Sequence, residues 1–392
     1  MRVFRFYLGC LILIFASSHT WAAGNTVFTP EVSVGTLHDD NIRLDEEADE
    51  AWETVTSLRG KVTHKTETGL MIGDLRWENF SYQGGEGLDN RNDYKLKLKG
   101  RTNRERSVYQ LDLTGIQDTT AKDIAIEDDD DIGGDVGFVR DDIKRNRFYI
   151  MPSWGYSLSE ISAINLLYKY SDLQYDDSKG TGLVDGFNHN VTGKYSVKTQ
   201  ENNTVEPSIG INHYESEGGK NYDFVIAKLS NERVYDQYFS SYASVGYYYI
   251  DAKTDNISDT TNSGLYEIGG LVKSDNISLN FKAERVLAPG DFGNVIAKDQ
   301  YSIGLLGEIN PIWDYQVGAR YYRNRPTIKE ISNNNRRYLS FKASLLWQFT
   351  ESFDLDFGYR YREERDQKEA DNTQANSNAL FITVRYMNDL IM

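Results

Sequence analysis

Lysine and arginine recur at every second position in several stretches of this chain. In "YKLKLKGR", Lys95, Lys97, Lys99 and Arg101 share one parity, and Tyr94, Leu96 and Leu98 share the other. "SFDLDFGYRYR" sets Asp354, Asp356, Gly358, Arg360 and Arg362 against Phe353, Leu355, Phe357, Tyr359 and Tyr361. Arg320 in "YQVGARY" and Lys342 in "YLSFKASLLWQF" follow the same rule. Arg76, Lys169, Lys194, Lys282 and Arg385 also fall on polar parities, with Asp74, Glu78, Asp112 and Glu284 as further acids. A face on which cations outnumber acids attracts anions, and the guanidinium fork suits carboxylate or phosphate. The competing use of such charges is a ladder of ion pairs that braces a wall.

Other chemistry is thinly represented. Asp128, Asp129, Asp130 and Asp131 run consecutively in "AIEDDDDIGG", a weak candidate for Ca²⁺ because hard cations take carboxylate oxygens. EF-hand spacing is missing there, so the expectation is a solvated acidic loop. His38 stands beside Asp39 and Asp40, a pairing that in principle activates water. The sequence has no G-x-S-x-G, no H-E-x-x-H, and its single cysteine, Cys10, lies near the N-terminus. No enzyme and no cofactor are expected.

Alternation of this kind requires β-strands, because successive side chains of a strand point to opposite faces. About 18 such segments can be marked along the chain. Tight links such as "TET", "TNRE", "SLSE", "VYDQ", "SDN" and "TES" alternate with long ones at 39–51, 83–91, 118–143, 175–186, 287–297, 324–335 and 364–376. That rhythm predicts an all-β fold, an antiparallel up-and-down outer-membrane barrel whose apolar stripes meet lipid and whose charged stripes meet water. An even strand count would leave both termini on the periplasmic side.

Composition agrees with this. The 392 residues include 13% aromatics, 27 Tyr and only 6 Pro, too aromatic for disorder and too polar for helical spans. A net charge of -16 argues against nucleic acid as a partner. The opening "MRVFRFYLGCLILIFASSHTWAAGN" reads as an export signal: Arg2 and Arg5, then an apolar run, then small residues. Residues 1–22 are expected to be removed, leaving 23–392 as one barrel domain without cysteine. Tyrosines cluster in "SYASVGYYYID" and "GARYYRNR", where they would either stack on sugar rings inside the lumen or form interface girdles outside.

With its signal followed at once by "EVSVGTLHDDNIRL", where Asp39, Asp40, Asn41 and Ile42 close the first strand, the chain resembles the β-barrel porin 2 family over its whole mature length. The resemblance implies an outer-membrane barrel that works with exopolysaccharide export systems. The sequence departs from such barrels at its end, where Tyr386 is followed by "MNDLIM" instead of a terminal aromatic residue.

The leading functional expectation is therefore a conduit or accessory for export of an anionic exopolysaccharide. Arg76, Lys95, Lys97, Lys99, Arg101, Arg320, Lys342, Arg360, Arg362 and Arg385 would line its path. Its partners would be outer-membrane lipid, the polysaccharide and periplasmic export components. The alternatives are a general or anion-selective diffusion porin and a surface adhesin or receptor acting through its long loops.

Overall fold

The computed structural model describes residues 24–85, 87–120, 142–176, 181–253, 258–290, 292–328, 335–367 and 372–391. The expected signal and the Asp128–Asp131 run lie outside these residues. Eighteen long strands follow one another in chain order. The first nine are β1 (Asn25–Asp39), β2 (Ala51–Lys65), β3 (Gly69–Gly84), β4 (Arg91–Asn103), β5 (Ser107–Thr119), β6 (Lys144–Ser157), β7 (Ser162–Tyr175), β8 (Gly186–Gln200) and β9 (Asn203–Ser216). The next nine are β10 (Lys220–Val234), β11 (Phe239–Lys253), β12 (Ser258–Lys273), β13 (Ile277–Pro289), β14 (Val295–Asn310), β15 (Trp313–Pro326), β16 (Arg336–Gln348), β17 (Phe353–Gln367) and β18 (Asn372–Met387).

Each strand pairs antiparallel with its sequence neighbours, and β1 pairs with β18, from Glu31↔Met387 to Asp39↔Ala379, closing the barrel. Closure removes the free edges that an open sheet of this size would expose. After Met387 the chain adds a two-residue strand, Leu390–Ile391, which pairs with Val27 and Phe28 of β1. The "MNDLIM" ending thus continues the closing seam past the last long strand.

The outer surface is the apolar parity. Val32, Leu75, Leu166, Ile211, Val245, Ile303, Leu380 and Ile382 are all exposed there. Side chains that would be buried in a soluble sandwich face outward here, as expected of a wall bathed in lipid. In β17 the register Phe357↔Ile382 and Tyr359↔Leu380 continues this stripe into β18.

One interval departs from the regular wall. The β12–β13 ladder runs only from Glu267↔Glu284 to Lys273↔Ser278, whereas β13 and β14 stay paired up to Pro289↔Val295. Above that level the β13–β14 hairpin leaves β12 and turns into the barrel. Val295, on the parity that faces outward lower on the strand, joins a buried cluster with Tyr214, Tyr222, Phe224, Tyr248, Ile250 and Leu265 from the inner face of β9–β12. The hairpin therefore lies against the inside of the wall it would otherwise extend. Across the resulting seam, the hydroxyls of Tyr266 and Tyr301 are 3.0 Å apart. Arg285 Nε donates to Asp299 Oδ1 at 2.5 Å beside them.

Candidate functional site in the lumen

Inward cations occupy two stretches of wall. On β2–β4 the register sets Arg59, Arg76 and Lys95 side by side, then Lys61, Asp74 and Lys97, with Lys99 next along β4 opposite Asp112 of β5. Arg59 donates to Asp74 through Nε at 2.9 Å and lies 3.5 Å from Glu31, while Arg76 pairs with Glu78 at 2.6 Å. Largely buried acids thus hold the partly exposed arginines against the wall, with the lysines on the same face. Arg101 sits at the short-turn rim, where it donates to Asn103 at 3.1 Å. The structure sets these expected residues on the inward parity, with Arg59 and Lys61 beside them.

The second stretch is β15–β18. Lys342 is lateral to Arg360 on one side and Gly318 on the other, and its ammonium lies 4.8 Å from the Phe381 ring centroid. Phe381 in turn lies over Gly358, where a Cβ would collide with the Ala343 carbonyl and sit 2.8 Å from Phe381 Cζ. Arg320 projects beside Ser340 and Ser302. Arg385 is bound to Asp354 at 3.1 Å.

Two expected path residues have another task. Arg362 is 1% exposed, and its Nη2 donates to Asp39 Oδ2 at 2.7 Å. It also donates to the Ile42 carbonyl at 3.2 Å and to Ser377 Oγ at 3.0 Å. Arg360 Nη2 approaches the same Asp39 oxygen at 3.3 Å. Arg362 is therefore a buried brace and not a surface along which a solute slides, because a guanidinium with a fully engaged fork offers no donors to a passing anion.

What Arg362 braces is the first loop. Asn41 Oδ1 accepts from the Asp45 amide at 3.0 Å, and its Nδ2 donates to the Asn376 carbonyl at 3.0 Å. Leu44, with a φ of 54° and no exposed surface, packs against the lumenal residues Tyr322, Tyr338 and Ala375. A non-glycine residue in the left-handed region costs about 1–2 kcal/mol, and burial of the leucine side chain offsets it. The loop is thus folded into the mouth.

From the other side the β13–β14 hairpin enters. Its tip residue Phe292 packs against a cluster of Ile143, Tyr175 and Leu183 from the β5–β6 and β7–β8 ends of the barrel. Lys220 Nζ donates to the Phe292 carbonyl at 3.1 Å, and Thr327 Oγ1 donates to the Val295 carbonyl at 2.6 Å. Below the tip, the Lys298 ammonium lies 4.6 Å from the Tyr322 ring centroid, close to the Leu44 cluster. The two inward elements together narrow the long-loop end of the lumen. Sequence reasoning missed them, although "RVLAPGDFGNVIAK" carries the signal: both parities around the turn are apolar, which means burial on both faces.

Other expectations resolve differently. His38 faces outward and pairs with Glu50 at 2.7 Å, while Asp39 faces inward and Asp40 binds the Asn378 side chain at 2.8 Å. The His38–carboxylate pairing inside "LHDDN" is not formed. Tyr247 and Tyr249 of "YYYID" are outward, and Tyr248 is locked in the cluster under the hairpin. That stretch supplies a girdle and not a sugar track. Lys194 pairs with Glu206 at 3.1 Å, and Lys282 with Glu284 at 2.9 Å, so both act mainly as wall braces. Among the described residues no group of His, Cys, Asp or Glu is arranged to hold a metal.

No protein-family model and no curated protein matches the chain. Several solved structures are similar to it at low identity. OccAB4 of Acinetobacter baumannii is 10% identical with a TM-score of 0.47, covering 95% of this chain and 99% of its own. OpdK of Pseudomonas aeruginosa, solved with vanillate, is 9% identical with a TM-score of 0.48 over 93% and 99% of the two chains. The FrpB iron transporter of Neisseria meningitidis is 8% identical with a TM-score of 0.48, covering 95% of this chain and 82% of that one.

Proposed function

We propose that the chain forms an outer-membrane channel that passes small anionic solutes, with the Lys and Arg wall of β2–β4 as its selective surface. The observation that carries this reading is the lateral alignment of Arg59, Arg76 and Lys95, and of Lys61 and Lys97, on one lumenal face of a chain whose net charge is -16. A basic surface inside an acidic protein concentrates counter-anions along the path. The closed barrel and its exposed apolar belt support placing that path across a membrane.

Export of an exopolysaccharide is less well supported. A polymer in transit, bulkier than a small solute, would have to unseat both the Leu44 loop and the Phe292 tip. The adhesin reading depends largely on the longest loop, which lies outside the described residues.

The test is the reversal potential of the purified barrel in a planar bilayer under a KCl gradient. Preference for chloride, lost when Lys95, Lys97 and Lys99 become glutamates, is the expected result. A cation-selective or non-conducting barrel, together with loss of secreted polysaccharide on gene deletion, would overturn the small-anion reading in favour of the polymer conduit.

A further inference from the structure

The outer face changes charge around its circumference at the long-loop end. On β14–β17 the register places Asp299, Arg323, Arg337 and Arg365 in one lateral row. Neighbouring strands are about 4.8 Å apart, so the guanidiniums of adjacent strands can reach one common ligand. Arg325 flanks the row and pairs with Asp299 at 3.0 Å, and Arg285 joins the same carboxylate from β13. Arg323 Nε reaches Asn335 Oδ1 at 3.4 Å, and Arg365 Nε binds Glu363 at 2.5 Å. On this outward patch Asp299 thus takes Arg285 and Arg325, and Glu363 takes Arg365.

The level of the row matters as much as its charge. Immediately toward the barrel waist, Tyr301, Tyr321 and Leu339 stand in register. From there the outward residues of β15 run Tyr321, Ala319, Val317, Tyr315 and Trp313, and those of β16 run Leu339, Phe341, Ala343, Leu345 and Trp347. These stripes match the roughly 9–11 residues a tilted strand needs to cross a bilayer. Arg323 and Arg337 occupy the first outward positions beyond them, where headgroups would lie.

Two contrasts make the row distinctive. At the short-turn end of the same strands the outward residues are aromatic: Trp313 and Trp347 stack at 5.6 Å, and Phe353 lies 4.8 Å from Tyr386. About a third of the way round the barrel, on β9–β11, the long-loop end carries Asp223 bonded to His213 at 2.7 Å, with Glu215 and the Lys253-paired Asp251 nearby on the outer face. Among the described residues this row of arginines thus stands in one sector at the long-loop end.

We propose that the Arg323–Arg337–Arg365 row, with Arg325 at its side, binds the phosphoryl groups of a lipid headgroup in the leaflet at the long-loop end. Arginine forks hold phosphate oxygens in pairs, and the Tyr and Leu belt beneath accommodates the acyl chains. The belt directs the assignment to a lipid, since a free phosphate would have no use for it. The inference rests on the membrane-spanning reading but not on solute selectivity.

The experiment compares the wild-type barrel with R323Q/R337Q/R365Q in nonionic detergent at low salt. The probes are a bisphosphoryl glycolipid of the lipid A type, the same lipid dephosphorylated, and inorganic phosphate as competitor. The wild type is expected to bind the phosphorylated lipid at least about tenfold more tightly than the variant, a difference of about 1.4 kcal/mol, and the two to bind the dephosphorylated lipid equally. Equal affinity of both proteins for the phosphorylated lipid would overturn the proposal, as would its displacement by inorganic phosphate at matched concentration. R323K/R337K/R365K, which keeps the charge and loses the forks, should fall between them and guards against a folding defect in the glutamine variant. Flotation with liposomes separates the premises: a variant that floats yet keeps full lipid affinity overturns the site alone, whereas a wild type that does not float overturns the membrane reading.

Discussion

The Arg362 guanidinium donates to the Asp39 carboxylate at 2.7 Å and joins β17 to the end of β1, 323 positions apart in the chain. Both groups are buried, and the same arginine holds the Ile42 carbonyl. The pair therefore couples barrel closure to the position of the first loop. Arg362→Ala leaves Asp39 without its main partner inside the wall, and such a loss costs about 3–5 kcal/mol. The expected outcome is a lower temperature for the conversion from folded to unfolded migration on a detergent gel. Arg362→Leu combined with Asp39→Leu should recover a good part of the loss.

Leu44 is the apolar anchor of that loop against Tyr322 and Tyr338. Leu44→Ala removes buried contacts worth about 2–3 kcal/mol and should free the loop from the mouth. Single-channel recording is expected to show higher conductance with more frequent transitions, at nearly unchanged barrel stability. A conductance identical to wild type would mean that the loop does not limit the path.

Phe292 and Val295 fasten the β13–β14 hairpin at its tip and at the last ladder pair beneath it. Phe292→Ala with Val295→Ala weakens both attachments by a combined several kcal/mol. Uptake of larger solutes into liposomes containing the barrel should rise, whereas the smallest anions should gain little. Lys220→Met, which removes the donor to the Phe292 carbonyl, should act in the same direction with a smaller effect.

Lys95, Lys97 and Lys99 should set the sign of selectivity. Their joint replacement by glutamate is expected to change the chloride-to-potassium permeability ratio by roughly tenfold, equivalent to about 1.4 kcal/mol. At 1 M salt, where the Debye length is about 3 Å, the difference between wild type and variant should largely vanish. Persistence of the difference at that salt would point to a steric effect and not an electrostatic one.

Tyr266 and Tyr301 close the seam where β12 and β13 part. Tyr266→Phe removes the hydroxyl contacts to Tyr301 and, at 3.4 Å, to Asp299, and should cost about 1 kcal/mol. A double-mutant cycle with Tyr301→Phe, read from thermal unfolding, should give a coupling of similar size.

The strand pattern was legible because the period of two is local: each residue of "SFDLDFGYRYR" declares its face without reference to the rest of the chain. Strand number, short and long connections, and the inward placement of Arg76, Lys95, Lys97, Arg320 and Arg385 all follow from that period and recur in the structure. The expected boundaries differ most at the β17–β18 link, expected at 364–376, where β17 runs on to Gln367 and β18 begins at Asn372; the β13–β14 turn differs as well. Its expected link, 287–297, proves to be ladder as far as Pro289↔Val295, because the hairpin continues inside the barrel.

Parity alone established that this chain is a wall with an apolar outside and a charged inside. It did not distinguish Lys97, half-buried on the inward face, from Arg362, sealed against Asp39, because both occupy equivalent positions in an alternating strand. That distinction depends on which loop arrives over each strand, and therefore on contacts between residues hundreds of positions apart. The inward turn of the Phe292 hairpin is of the same kind. An apolar tip can be buried against the inside of a barrel only after the opposite wall has closed around it.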